Sequence, residues 1–202
     1  MKMKVLYGLS AVIMLVMLSS CSKVPQAEID NARLAIEAAQ TAQADVYVPE
    51  QFAALQDSFN AVNESIETQK SKWFRSFKAE KEKLAAINTQ AEQVKMNAET
   101  RMNEVKAEVV ATIDEIKSLQ EMNNQLVTQA PKGKEGAAAI EAIKADITVV
   151  DAALIEAQQL FDNGDFMAAL NKVNAAKEKA YAINAELKEV MEKYAKMKGG
   201  RK

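Results

Sequence analysis

Histidine is missing from all 202 residues. Its absence removes the side chain whose unperturbed pKa suits proton transfer near neutrality, and the commonest ligand of transition metals. Carboxylates and Ser–Lys pairs could still do such chemistry, but here they are strung along helix faces at solvated positions. The expectation is a protein that is not an enzyme and carries neither cofactor nor metal. Cysteine occurs once, at Cys21, so no disulfide can form within the chain. A large excess of either charge is also lacking. Residues 1–20 hold two lysines and no acid, which leaves 24 basic against 28 acidic side chains in 21–202, a formal −4. So mild a balance argues against nucleic acid as a partner.

Helix breakers are as rare, at three prolines and six glycines. Between them lie stretches of Ala, Glu, Lys and Gln, all strong helix formers. Apolar residues recur in steps of three and four and predict five helices. The first follows Pro25 and lines up Ile29, Ala32, Ile36, Ala39 and Gln43. The second starts at Pro49-Glu50 with Phe52, Leu55, Phe59, Val62 and Ile66. A third, from about Trp73 to Gln129, carries a stripe from Leu84 through Ile87, Ala91, Val94, Ala98, Met102, Val105, Val109 and Ile113 to Ile116. Its steps average near 3.6, which predicts a nearly straight helix of roughly 85 Å with little supercoil. Such a helix cannot cover its own stripe.

Ala130-Pro131-Lys132-Gly133-Lys134-Glu135-Gly136 is the clearest break. Beyond it a fourth helix, 137–161, presents Ile140, Ile143, Ile147, Val150, Leu154, Ala157 and Phe161. Asp162-Asn163-Gly164-Asp165 turns the chain, with Gly164 as a left-handed stop and Asp165 as a cap. A fifth helix carries Phe166, Leu170, Val173, Ala176, Ala180, Ile183, Leu187 and Met191 and ends before Gly199. The expected fold is all-α: an elongated antiparallel bundle of coiled-coil-like hairpins around one long central helix. It divides into a unit at 25–129, a linker at 130–136, a C-terminal hairpin at 137–198 and a basic tail at 199–202.

The first residues read as an address. Lys2 and Lys4 precede an uncharged apolar run, Val5–Met17, which is short for a membrane span and right for the core of an export signal. Leu18-Ser19-Ser20-Cys21 resembles a bacterial lipobox. The resemblance implies a signal peptide at 1–20, cleavage before Cys21, diacylation of its sulfur, acylation (palmitate) of the new amine, and a lipidated tether at 21–24. Ser22, where an Asp would retain the protein at the inner membrane, implies attachment to the outer membrane, facing the periplasm.

Two stretches echo one another. Ile36-Glu37-Ala38 followed by Phe52-Ala53-Ala54-Leu55 is matched by Ile155-Glu156-Ala157 followed by Phe166-Met167-Ala168-Ala169-Leu170. Each is the end of one helix, a turn and the start of the next, a repeated hairpin with an aromatic under the turn. Together with the lipobox, Tyr47-Val48-Pro49-Glu50-Gln51-Phe52 and the later Gly164-Asp165-Phe166 resemble a domain of unknown function of bacterial envelope lipoproteins. The likeness covers 21 to about 100 best and 150–190 more loosely. It implies fold and location, not activity.

Candidate sites are few. Trp73, Phe74 and Phe77 are either core where the second and third helices meet, which is the expectation, or a docking patch for a partner. Tyr47 is expected to staple its loop. Lys70, Lys72, Arg75, Lys78, Lys81 and Lys83 form a basic stretch interrupted by Glu80 and Glu82, read as a solvated face, with anionic lipid as the alternative ligand. Gly199-Gly200-Arg201-Lys202 resembles the end of a helical outer-membrane lipoprotein that is joined to peptidoglycan through its last lysine, which makes Lys202 a candidate attachment site. The reading that follows is a lipid-anchored scaffold or adaptor that meets an envelope protein, or a second copy of itself, through helix surfaces. The alternatives are a binding module for a lipid or hydrophobic peptide, and a peptidoglycan tether.

Overall fold

The structure, a computed structural model, describes residues 23–130 and 134–199. Six helices and no strand are found among them: α1 (Gln26–Thr41), α2 (Ala44–Tyr47), α3 (Pro49–Lys70), α4 (Lys78–Gln129), α5 (Lys134–Asp162) and α6 (Phe166–Gly199). The protein is all-α.

The chain divides into two compact units, residues 1–101 and 102–202. The boundary falls inside α4, not at 130–136 as the break in the sequence suggests. The physical reason is the stripe of α4, which is used twice. Its first half packs with α1 and α3, and its second half with α5 and α6. Only residues 130–133 separate α4 from α5, because α5 begins three residues earlier than its periodicity implies.

In the first unit α1 and α3 run antiparallel, and α4 returns alongside them. Lys81 of α4 reaches Glu28 of α1 at 2.6 Å, Ser65 of α3 donates to Glu80 at 2.8 Å, and Asn97 donates to Gln51 at 2.7 Å. The stripe residues Ile29, Ala32, Ile36, Ala39, Phe52, Leu55, Val62, Ile66, Leu84, Ile87, Ala91, Val94 and Ala98 are buried together. Ala32, Ala39, Ala91 and Ala98 have no exposed surface, which lets the helices approach closely.

Gln43, expected on the stripe of α1, leaves it instead. It takes φ +59°, left-handed and without a glycine's freedom, and its amide closes back on Gln40 O at 2.8 Å. That turn launches the four-residue α2, which the periodicity could not reveal. Val48, at φ −140° and ψ 54°, stays out of the helical region that a following proline disfavours, and Pro49 opens α3 where its missing N–H costs nothing. Tyr47 and Phe52 occupy the two positions of a hydrophobic staple and are both buried.

The second unit is also three helices. Phe161 and Phe166 meet edge to face at 5.1 Å beside the α5–α6 turn, and Lys172–Glu156 and Lys179–Asp146 pair progressively further from it. The turn is a Schellman motif. Asp165 N–H bonds Leu160 O at 2.9 Å and Gly164 N–H bonds Phe161 O at 3.0 Å, with Gly164 at φ +85°. A Cβ at Gly164 would meet nothing within 4 Å. Gly164→Ala therefore isolates the backbone cost, and a loss of about 1–2 kcal/mol is expected from urea titration of the second unit. A loss under a few tenths would show that the turn relaxes out of the left-handed region.

Candidate functional site

Two of the residues singled out by the sequence, Cys21 and Lys202, lie outside the described residues, as does the export signal expected at 1–20. The aromatic trio lies in the loop between α3 and α4, and the structure separates its members. Helix α4 begins at Lys78 rather than Trp73, because the reversal between antiparallel helices uses residues 71–77. Phe77 is 1% exposed and its carbonyl accepts the Lys81 N–H at 3.0 Å, so it plugs the bottom of the first unit while opening α4. It is not part of a docking surface. Trp73 and Phe74 are not core: they are 87% and 69% exposed.

The basic stretch is likewise divided by its partners. Lys70 pairs with Glu67 at 2.5 Å and Lys81 with Glu28, while Lys72, Lys78 and Lys83 are exposed. Glu80 does not face solvent among these cations. It turns inward at 3% exposure, and the Ser65 hydroxyl holds its carboxyl below the ordinary Glu range, with Gln69 and Lys83 adding to the effect. The Lys81 ammonium does the same for Glu28.

The second unit holds a feature that the sequence reading missed, a buried polar layer crossing all three helices. Asn123 is fully buried. Its amide donates to Ala180 O at 3.1 Å and its carbonyl oxygen accepts from Asn184 at 2.7 Å. One turn earlier Gln120, also buried, donates to Ile147 O at 3.1 Å and to Asp151 at 3.0 Å. Had the α4 stripe been followed past Ile116, residues 120 and 123 would have stood out as polar residues at core positions. Near the surface, Tyr181 and Lys177 of α6 both donate to Glu115 of α4, at 2.6 and 3.2 Å. The Tyr181 hydroxyl, then Lys177, lowers the Glu115 pKa, and Glu115 in turn raises that of Tyr181. Lys106 sits 4.5 Å above the Phe166 ring.

Each of these polar groups joins one helix to another or closes a turn. No group of three or more His, Cys, Asp or Glu side chains among the described residues could hold a metal ion. Grooves exist, but they are open and modest. One of about 480 Å³ lies between α4 and α5, lined by Val127, Thr128, Ile140 and Lys144, and one of about 290 Å³ lies beside Phe59 and Arg33.

The chain matches no protein-family model, no curated protein and no solved structure. No helix among the described residues is long and apolar enough to cross a membrane.

Proposed function

We propose that this chain is a non-catalytic lipoprotein of a bacterial cell envelope, held by lipid on Cys21 and acting as a scaffold or adaptor through its helical body. The observation that carries the reading is the use made of the side chains. Apolar stripes fill two three-helix cores, and the buried polar residues brace one helix against another. What is left for function is the outer surface and the two chain ends. The lipobox supplies the anchor, and Ser22 after it favours the outer membrane, facing the periplasm. The resemblance to helical envelope lipoproteins around Tyr47-Val48-Pro49-Glu50 supports the same placement. Scattered exposed apolar residues such as Leu34, Val110 and Ile155 give helix faces on which an envelope protein or a second copy can rest.

Metabolic labelling with an alkyne fatty acid in a bacterial host tests the anchor. The wild-type chain is expected to take up label and lose residues 1–20, and Cys21→Ala to do neither. A wild-type chain that stays unlabelled would sink the lipoprotein reading. In-cell crosslinking followed by mass spectrometry then tests the scaffold. A recurrent envelope protein or self-crosslink mapped to helix faces is expected, and a chain that crosslinks to nothing has no scaffold role.

A further inference from the structure

Trp73 and Phe74 are the most exposed large apolar side chains among the described residues. Leu34 and Ile155 each stand singly on a helix, whereas these two are adjacent and share one short loop. That loop leads directly into α4, whose first turn is tied to the first turn of α1 by the Lys81–Glu28 pair at 2.6 Å. The first described residues, Lys23 to Pro25, which lead into α1, therefore lie at the same end of the first unit. Pro25 is buried there and Lys23 is exposed, two residues beyond Cys21. The loop segment itself is basic, between acidic neighbours at Glu67, Glu80 and Glu82. Thr68–Ala79 contains Lys70, Lys72, Arg75 and Lys78 and no acid, in a chain of net charge −2.

We propose that the α3–α4 loop is a membrane contact, with Trp73 and Phe74 seated among the headgroups of an anionic lipid surface and Lys72 and Lys78 against the phosphates. The orientation rests on Cys21 being the anchor, since lipid there delivers this end of the unit to the bilayer. Size favours a lipid over a protein as the occupant. Two aromatics bury roughly 150–250 Å² each, well short of the roughly 800 Å² per partner of a stable protein interface. Indole at headgroup depth is, by contrast, a favourable place for an aromatic, and each nearby cation adds attraction to anionic lipid. A lipid tether alone leaves the body free to turn. A second contact at the same end fixes which face of the unit meets the membrane.

Trp73 is the only tryptophan, so intrinsic fluorescence reports this loop alone. The full chain, purified from membranes, is placed in vesicles of phosphatidylcholine and phosphatidylglycerol, with and without phosphatidylcholine brominated on its acyl chains. Bromine is expected to quench the emission about twofold, as it does not for an indole in water, because an interfacial side chain lies within ~5–10 Å of the acyl boundary. Lys72→Glu combined with Lys78→Glu is expected to reduce that quenching. Emission that bromine leaves unchanged and acrylamide quenches freely would overturn the proposal. Emission shielded from both quenchers would also overturn it, and would place Trp73 against protein, in a second copy or in the unit's own core. Mass spectrometry of the same sample separates the two readings. If the chain carries no acyl group the anchor is wrong, yet bromine quenching after vesicles are added to it still supports the loop contact, and unchanged emission still overturns it.

Discussion

Replacing Phe77 by Ala is expected to destabilise the first unit by about 3–5 kcal/mol, while Trp73→Ala or Phe74→Ala changes its stability by less than about 0.5 kcal/mol. The three residues share a loop and an aromatic character, and only burial distinguishes them. Phe77 has 1% of its surface exposed and sits beneath the start of α4, so truncation opens a cavity lined by neighbours that α3 and α4 hold in place. Trp73 and Phe74 contribute almost no packing to lose. Urea titration followed by far-ultraviolet circular dichroism would decide the matter. Two units allow two transitions, and the loss is expected in one of them. Comparable losses from all three variants would mean that the loop folds back on itself and that Trp73 belongs to the core.

The other large effect concerns Asn123 in the second unit. Asn123→Ala strands the Asn184 amide, which donates to it at 2.7 Å, and removes a donor from Ala180 O. Leaving a buried polar group without its partner costs about 1–3 kcal/mol, and the lost side-chain volume adds to it, so a total of about 2–4 kcal/mol is expected. The double variant Asn123→Leu with Asn184→Leu is expected to recover most of that, since it removes both partners and replaces them with apolar side chains of the same branching. If the double variant is no more stable than Asn123→Ala, the layer contributes through more than this pair, and Gln120 with Asp151 becomes the next place to look. What the apolar pair would forfeit is register. A polar layer that is satisfied in one alignment only penalises every slipped packing of α4 against α6.

Much of the fold could be read before the structure was known, and the parts that could not have specific causes. The stripes of α1, α3, α4, α5 and α6 were legible because a buried helix face repeats every three or four residues, whatever packs on it. Leu154, Phe59 and Met102 are only half-buried, since periodicity marks a face without saying how far its edges are covered. The turn at Gly164 was legible because a glycine after an apolar run is the ordinary left-handed stop. The turn at Gln43 was not, because glutamine seldom adopts that conformation and gives no signal of it. The division of α4 was hidden for a different reason. Glycine and proline mark where the backbone bends, whereas compact units are set by which side chains share a core, and nothing requires a bend there. The aromatic trio shows the limit at the candidate site. Composition said that Trp73, Phe74 and Phe77 mattered together, but three residues in a loop face where the reversal sends them, and that depends on where α4 begins.

The position of the division also bears on the order in which the protein takes shape. Residues 1–101 form one compact unit and residues 102–202 the other. A chain emerging amino-terminus first can therefore complete one core before the other has been delivered. Between those moments Val105, Val109, Ile113 and Ile116 have no cover, because α5 and α6 are still to come. The latter half of α4 then stands as a naked apolar stripe for as long as it takes to supply about seventy more residues, some 3–14 s at 5–20 residues per second. That interval is when a chaperone that holds unfolded chains would have something to grip.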